Sequence, residues 1–195
     1  TFPSGQFRVE CRSRQTSRRL KHLFLDSPEL FSRSGIYGEN GRDYADNAMR
    51  FACFTRGALL WAVQSTFAPQ IVHANDWQTG LAMMWLRTEF SHPLPATRGV
   101  FTIHNLAYQG NFNKVHMQAL GLDWKLFNVD GVEFFDHLSF MKSGLQFAHA
   151  ITTVSPTYAR EIQSEPHGVG FSGLLKRRQH ALTGILNGID TQVWN

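Results

Sequence analysis

The stretch Val100-Phe-Thr-Ile-His-Asn-Leu-Ala-Tyr-Gln-Gly110 constrains the chain most. Four β-branched or aromatic residues, Val100 to Ile103, give way at once to His104 and Asn105, and a loop closed by Gly110 follows. An apolar run that ends in polar residues reads as a buried parallel strand delivering side chains at its C-terminal edge. In open α/β sheets, ligands bind beyond that edge. His104 and Asn105 can donate and accept hydrogen bonds there without a fixed charge. The competing reading is a strand end whose His bonds a neighbouring carbonyl. Gln70 to Gly80 repeats the pattern: a short apolar strand, then Asn75-Asp76-Trp77, then the helical run Leu81-Ala-Met-Met-Trp-Leu86. Two successive strands ending this way suggest one shared cleft.

The rest of the chain supports that frame. Helical spacing is expected over 43–66, 78–90, 139–148, 156–162 and 174–179, and strands over 23–25, 70–74, 99–103, 150–154 and 183–186. Ser155-Pro156 is a helix start, with Ser as N-cap and Pro at the first helical position. This alternation predicts an α/β fold, a Rossmann-like parallel sheet with helices on both faces. Ser34 to Gly41 is a Gly-rich loop that sets Tyr37 between Gly35 and Gly38, a better place for stacking on a ligand than for core packing. The aromatic-rich insert over 105–137 reads equally as a substrate wall or as plain hydrophobic packing.

Length and composition bound the function. At 195 residues, 43% apolar and 13% aromatic, the chain can bury a sizeable core. Six cations stand against Glu10 in the first 21 residues, and removing that excess of five from the net +4 leaves −1 for everything after. The basic character therefore belongs to a poorly patterned arm over 1–22, with the domain proper over 23–195, which argues against nucleic acid as a partner. Cys11 and Cys53 form no CxxC, and the nine His show no ligand spacing, so neither a disulfide framework nor a metal site is expected. No apolar run approaches the ~20 residues of a membrane span, and a signal-peptide core is lacking at the N-terminus. These features together predict a cytoplasmic location, with no membrane partner.

Four motifs carry a family resemblance. His73-Ala-Asn-Asp-Trp-Gln-Thr-Gly80, Thr102-Ile-His-Asn-Leu-Ala-Tyr-Gln-Gly110, Ala150 to Glu161 (AITTVSPTYARE) and Gly184-Ile-Leu-Asn-Gly-Ile-Asp190 resemble bacterial glycogen synthase and plant starch synthase. The likeness implies most of the N-terminal, acceptor-side domain of a retaining GT-B glycosyltransferase. The expected reaction is glucose transfer from ADP-glucose to the non-reducing end of an α-1,4-glucan (glycogen or starch). It implies no cofactor beyond the nucleotide-sugar co-substrate, no metal, and a plastid location if the source is a plant. By motif position the resemblance makes His104 and Asp76 catalytic-cleft residues, and Asn105, Asn187 and Tyr37 binders of the sugar nucleotide. From the residues alone, Asp76 reads equally as the N-cap of the helix that follows. Asn75 and Gln78 depart from the family's pattern, which often has His at both places, and His149, where an acidic residue is common, reads as a surface change. The family's Lys-x-Gly-Gly loop and C-terminal domain are missing, so the chain is expected to be a fragment, inactive alone. The alternatives are another GT-B glucosyltransferase and a non-catalytic glucan-binding module.

Overall fold

A computed structural model describes residues 1–65 and 67–194. Four parallel strands form its central sheet: β5 (Ile71–Asn75), β6 (Arg98–Ile103), β10 (Ala150–Thr153) and β11 (Leu182–Gly184), in the order β11-β10-β6-β5. The register sets Asn75 opposite Thr102, and Thr102 opposite Thr152. The strands that end in His/Asn/Asp motifs are therefore neighbours, and their polar ends share one edge.

The sequence dictates which sheet face is buried. Side chains alternate along a strand, so Ala74, Phe101, Ile103 and Ile151 all point one way, and all four are buried. Against them pack α3 (Leu81–Arg87) and α5 (Phe140–Phe147). Contact is close: a Cβ on Gly144 would lie 2.4 Å from the Phe101 ring, and one on Gly99 2.6 Å from Met83 Sδ. α2 (Asn47–Gln64) lies outside α3, which is buried from Leu81 through Leu86. The opposite face is mixed, with Val100 and Ala150 set among His73, Thr102 and Thr152. Across it His73 Nε2 bonds Thr102 Oγ1 at 2.6 Å, and Thr102 Oγ1 bonds Thr152 Oγ1 at 2.6 Å. Helices were expected on both faces; among the described residues, α3 and α5 cover the face of Ala74, Phe101, Ile103 and Ile151.

Helix starts follow local chemistry. Ser139 caps α5 by accepting the Lys142 N–H, and Ser155 caps α6 (Pro156–Glu161) by accepting that of Tyr158. α7 (Ser172–Arg177) is the short basic helix. The insert holds β7 (Asn111–Asn113), α4 (His116–Ala119), β8 (Glu133–Phe134) and β9 (His137–Ser139), with the three strands paired antiparallel. Leu106, Met117 and Val132 of the insert are fully buried in the main core, while Asn105 and Tyr108 at its start are exposed.

The N-terminal residues differ from expectation. The stretch read as an unpatterned arm forms a hairpin, β1 (Glu10–Ser17) paired antiparallel with β2 (Leu20–Asp26), which crosses the 22/23 boundary. Every β1 residue is exposed, so the strand carries no apolar alternation for a pattern to reveal. The base of the hairpin rests on α2, where Leu25 and Val9 approach the bare Cα of Gly57. Cys11 and Cys53, distant in sequence, line the same cavity of about 220 Å³ there, both as free thiols. The short elements α1 (Pro28–Phe31), β3 (Gly38–Glu39) and β4 (Arg42–Asp43) complete the path to α2.

His149 is not a plain surface residue. Its Nδ1 accepts the Gly99 N–H at 2.9 Å, tying the start of β10 to β6. Burial, then the nearby Arg87, Arg98 and Arg178, hold it below the ordinary imidazole value, and burial does the same to His116. A His depressed in the folded state contributes stability above its unfolded value near 6.5 that is lost as pH falls below it. Unfolding free energy, measured by denaturant titration, is therefore expected to decline as pH drops from about 7 towards 5. His149→Gln is expected to make that decline shallower.

Candidate active site

The cleft forms where β5 and β6 end. Tyr37, Asp43, Asp76, Trp77, Gln78, Asn105 and Tyr108 line a cavity of about 400 Å³. Asp76 is its most constrained residue. Its backbone lies at φ 55°, ψ 179°, a region used almost only by glycine. Three hydrogen bonds hold it there. Its N–H donates to Thr102 O at 2.9 Å, its carbonyl accepts the Thr79 N–H at 3.2 Å, and its carboxylate Oδ1 accepts the His104 backbone N–H at 2.8 Å. The N-cap reading fails, because the Asp76 side chain makes no capping bond to the turn Trp77–Thr79. The carboxylate instead crosses to the neighbouring strand, and a strained backbone so braced is a mark of functional sites.

His104 is not itself a wall of the cavity but adjoins two of its lining residues, next in sequence to Asn105 and bonded through its backbone N–H to Asp76, with its Nε2 3.1 Å from Asn75 Oδ1. Asn105 lies in the wall, and its own Oδ1 accepts the Ala107 N–H at 3.0 Å. Tyr37 lines the same cavity as Asp76. It is half-exposed, its ring 6.2 Å from Trp77 and 5.9 Å from Phe51, and its hydroxyl accepts from Gln78 Nε2 at 2.9 Å. Asn187 is exposed, three residues past β11, and is not a wall of this cavity. The structure thus brings His104, Asp76, Asn105 and Tyr37 together and leaves Asn187 outside the group.

Several supporting residues had no sequence signal. Arg50, buried inside α2, donates through Nε to Leu30 O (2.7 Å) and through Nη1 to Ile36 O (2.9 Å) and Asn47 Oδ1 (2.6 Å). Asn47 Nδ2 in turn donates to Tyr37 O at 2.7 Å. Desolvation, then the Arg33 charge, pulls Arg50 below its ordinary value. Arg33 clamps Asp46 with two bonds of 2.7 and 2.5 Å, which holds the Asp46 carboxyl below its usual range. Together these cations pin the Tyr37 loop to α2. A charged residue on a helix would ordinarily be read as solvated, so only the partners reveal the role.

Trp77 fixes the floor. It packs edge-on against Phe51 at 4.9 Å and near Phe112 at 5.8 Å. Gly110 must pass beneath it: Gly110 has φ +57°, and a Cβ there would lie 2.3 Å from the indole. Gly110→Ala is therefore expected to destabilise the chain by about 2–4 kcal/mol, from left-handed strain plus overpacking. Chemical denaturation, with Trp fluorescence to follow the indole, checks this.

Comparison with known proteins assigns the lineage. Residues 3–177 match the family described as starch synthase catalytic domain. The chain belongs to that family. It is 52% identical over 197 residues to a glycogen synthase of Myxococcus xanthus, covering all of this chain and 41% of that protein. It is 54% identical over 175 residues to one of Anaeromyxobacter dehalogenans, covering 88% and 37%. Among solved structures it resembles the catalytic domain of starch synthase IV from Arabidopsis thaliana, bound to ADP and acarbose, at TM-score 0.87 and 32% identity over all of this chain and 40% of that one. The α/β sheet is thus that of a GT-B glycosyltransferase domain. The family match begins at residue 3, within the stretch read as an arm. The chain spans about two fifths of the length of these relatives.

Proposed function

We propose that this chain supplies the acceptor-side half of the active site of a retaining glucan synthase, which transfers glucose from ADP-glucose to the non-reducing end of an α-1,4-glucan. The observation that carries the reading is the strained Asp76 locked to the His104 backbone at the floor of a cleft, in a chain of this family. The names of the relatives and the ADP and acarbose on the structural neighbour support the choice of substrates.

The cleft suits a sugar. Tyr37, Trp77 and Tyr108 offer apolar faces, while Asp76, Gln78 and Asn105 offer hydrogen-bond partners. Retaining transfer develops oxocarbenium character at the reacting carbon. The Asp76 carboxylate is placed to offset that charge or to accept a sugar hydroxyl, and the His104 and Asn105 side chains to orient hydroxyls. Asn105, Tyr37 and Asn187 are assigned to the sugar nucleotide. Nothing beyond the nucleotide sugar is required as cofactor in this reading. The leaving diphosphate is neutralised by cationic side chains of the remainder of the protein.

Transfer of labelled glucose from ADP-glucose to glycogen tests this. The protein made from the complete gene is expected to incorporate label into α-1,4 linkages. The 195-residue chain alone is expected to fall below about 1% of that rate, since losing even one transition-state charge partner costs about 10²–10³-fold. Comparable rates from the two would refute the half-site reading. A full-length product that binds glycogen but transfers nothing would identify a binding module instead.

A further inference from the structure

We propose that Asn75 is a positioning residue that fixes the His104 imidazole in one tautomer, with the proton on Nε2 and Nδ1 left as an acceptor beside the cleft. The inference rests on the reading of His104 as a cleft residue. It stands on geometry: His104 Nε2 lies 3.1 Å from Asn75 Oδ1. An amide oxygen only accepts, so the ring nitrogen facing it must carry the hydrogen, and the other nitrogen of the neutral ring is then bare.

The support for Asn75 is itself rigid. Its N–H donates to Thr79 Oγ1 at 2.7 Å, and the Thr79 hydroxyl returns a 2.7 Å bond to Asn75 O. Register places Asn75 beside Thr102, two residues before His104, and alternation puts these side chains on one face. The next residue, Asp76, holds the His104 backbone N–H at 2.8 Å. Consecutive residues at the end of β5 thus grip His104 twice, Asp76 by its backbone and Asn75 by its ring. Backbone capture alone leaves the imidazole free to rotate about two side-chain bonds. The amide removes that freedom and selects which nitrogen meets a substrate hydroxyl. The other ionisable groups of this region are Asp76 and His73 at β5, with Tyr108, Tyr37 and Asp43 along the cavity. His73 is engaged by Thr102, and the Asp76 contact is to the backbone rather than the ring.

The test reads the ring directly. The protein that carries this chain is labelled with ¹⁵N only at histidine, and His104 is assigned by comparison with His104→Gln. Neutral His104 is expected to show a protonated Nε2 and an unprotonated Nδ1. Asn75→Asp sets a carboxylate against the same nitrogen and is expected to move the His104 titration midpoint upward relative to the parent. Asn75→Ala is expected to lower kcat more than it raises KM, with Asn75→Asp shifting the pH profile of kcat in step with the His104 midpoint. A proton on Nδ1 in the parent protein, or a His104 midpoint that Asn75→Asp leaves unmoved while the other histidines keep their parent signals, would overturn the proposal. Because the resonances report on the ring whether or not glucose is transferred, failure of the proposed reaction and failure of this inference are separately visible.

Discussion

Asp76→Ala, in the protein that carries this chain, is expected to lower kcat for glucosyl transfer by about 10²–10³-fold, the range seen when one pre-organised electrostatic partner of a transition state is removed. Two losses combine. The carboxylate that the proposed function sets against the reacting sugar disappears, and the His104 N–H loses its 2.8 Å acceptor, freeing the end of β6. Asp76→Asn separates them, because an amide oxygen can still accept from His104 while the charge is gone. If charge dominates, Asn is nearly as poor as Ala. If positioning dominates, Asn recovers most of the rate. Stability should move differently. Asp76→Gly relieves a backbone at φ 55° that costs about 1–3 kcal/mol, while giving up a charge-assisted hydrogen bond worth about 1.5–3 kcal/mol. The Gly variant is therefore expected to unfold within about 1 kcal/mol of the parent yet to be as inactive as Ala. Steady-state kinetics and denaturant titration of the three variants check both statements. A Gly variant that keeps its activity would remove Asp76 from the machinery.

Arg50→Met is expected to be among the most destabilising single changes at the site, by about 2–4 kcal/mol, although Arg50 is not a lining residue of the cleft. The residue is 3% exposed, and its guanidinium satisfies Leu30 O, Ile36 O and Asn47 Oδ1 while lying over the rings of Tyr44 and Phe51. Met fills similar space but strands those acceptors without donors, and an unsatisfied buried acceptor carries its full desolvation cost. Asn47 would then hold Tyr37 O alone. Amide hydrogen exchange is expected to rise across 30–44 before the β5 and β6 amides lose protection, and KM to rise more than kcat falls. Uniform loss of protection across the sheet would show instead that Arg50 serves the whole domain rather than the Tyr37 loop.

Much of this architecture is legible locally. The strand ends at Asn75 and His104 follow from the switch between apolar and polar residues. The starts of α5 and α6 follow from Ser139 and from Ser155-Pro156, because a cap needs only its own side chain and an amide three residues on. Other features have no local sign. The β1 half of the N-terminal hairpin is exposed throughout and shows no periodicity, whereas residues 23–25 of its β2 partner do read as a strand. Asp76 looks like a helix cap until the His104 N–H, 28 residues away, is seen to hold it. Gln78 becomes a Tyr37 partner only when the two are folded together.

The sequence by itself determined the strand-helix order, the polar ends of two adjacent strands and the family, because these reside in contiguous residues with fixed spacing. Tertiary structure decided which backbone N–H Asp76 grips and how Arg50 holds the Tyr37 loop. Those outcomes depend on the register of parallel strands and on where a buried guanidinium finds carbonyls, and both are set only when distant segments pack.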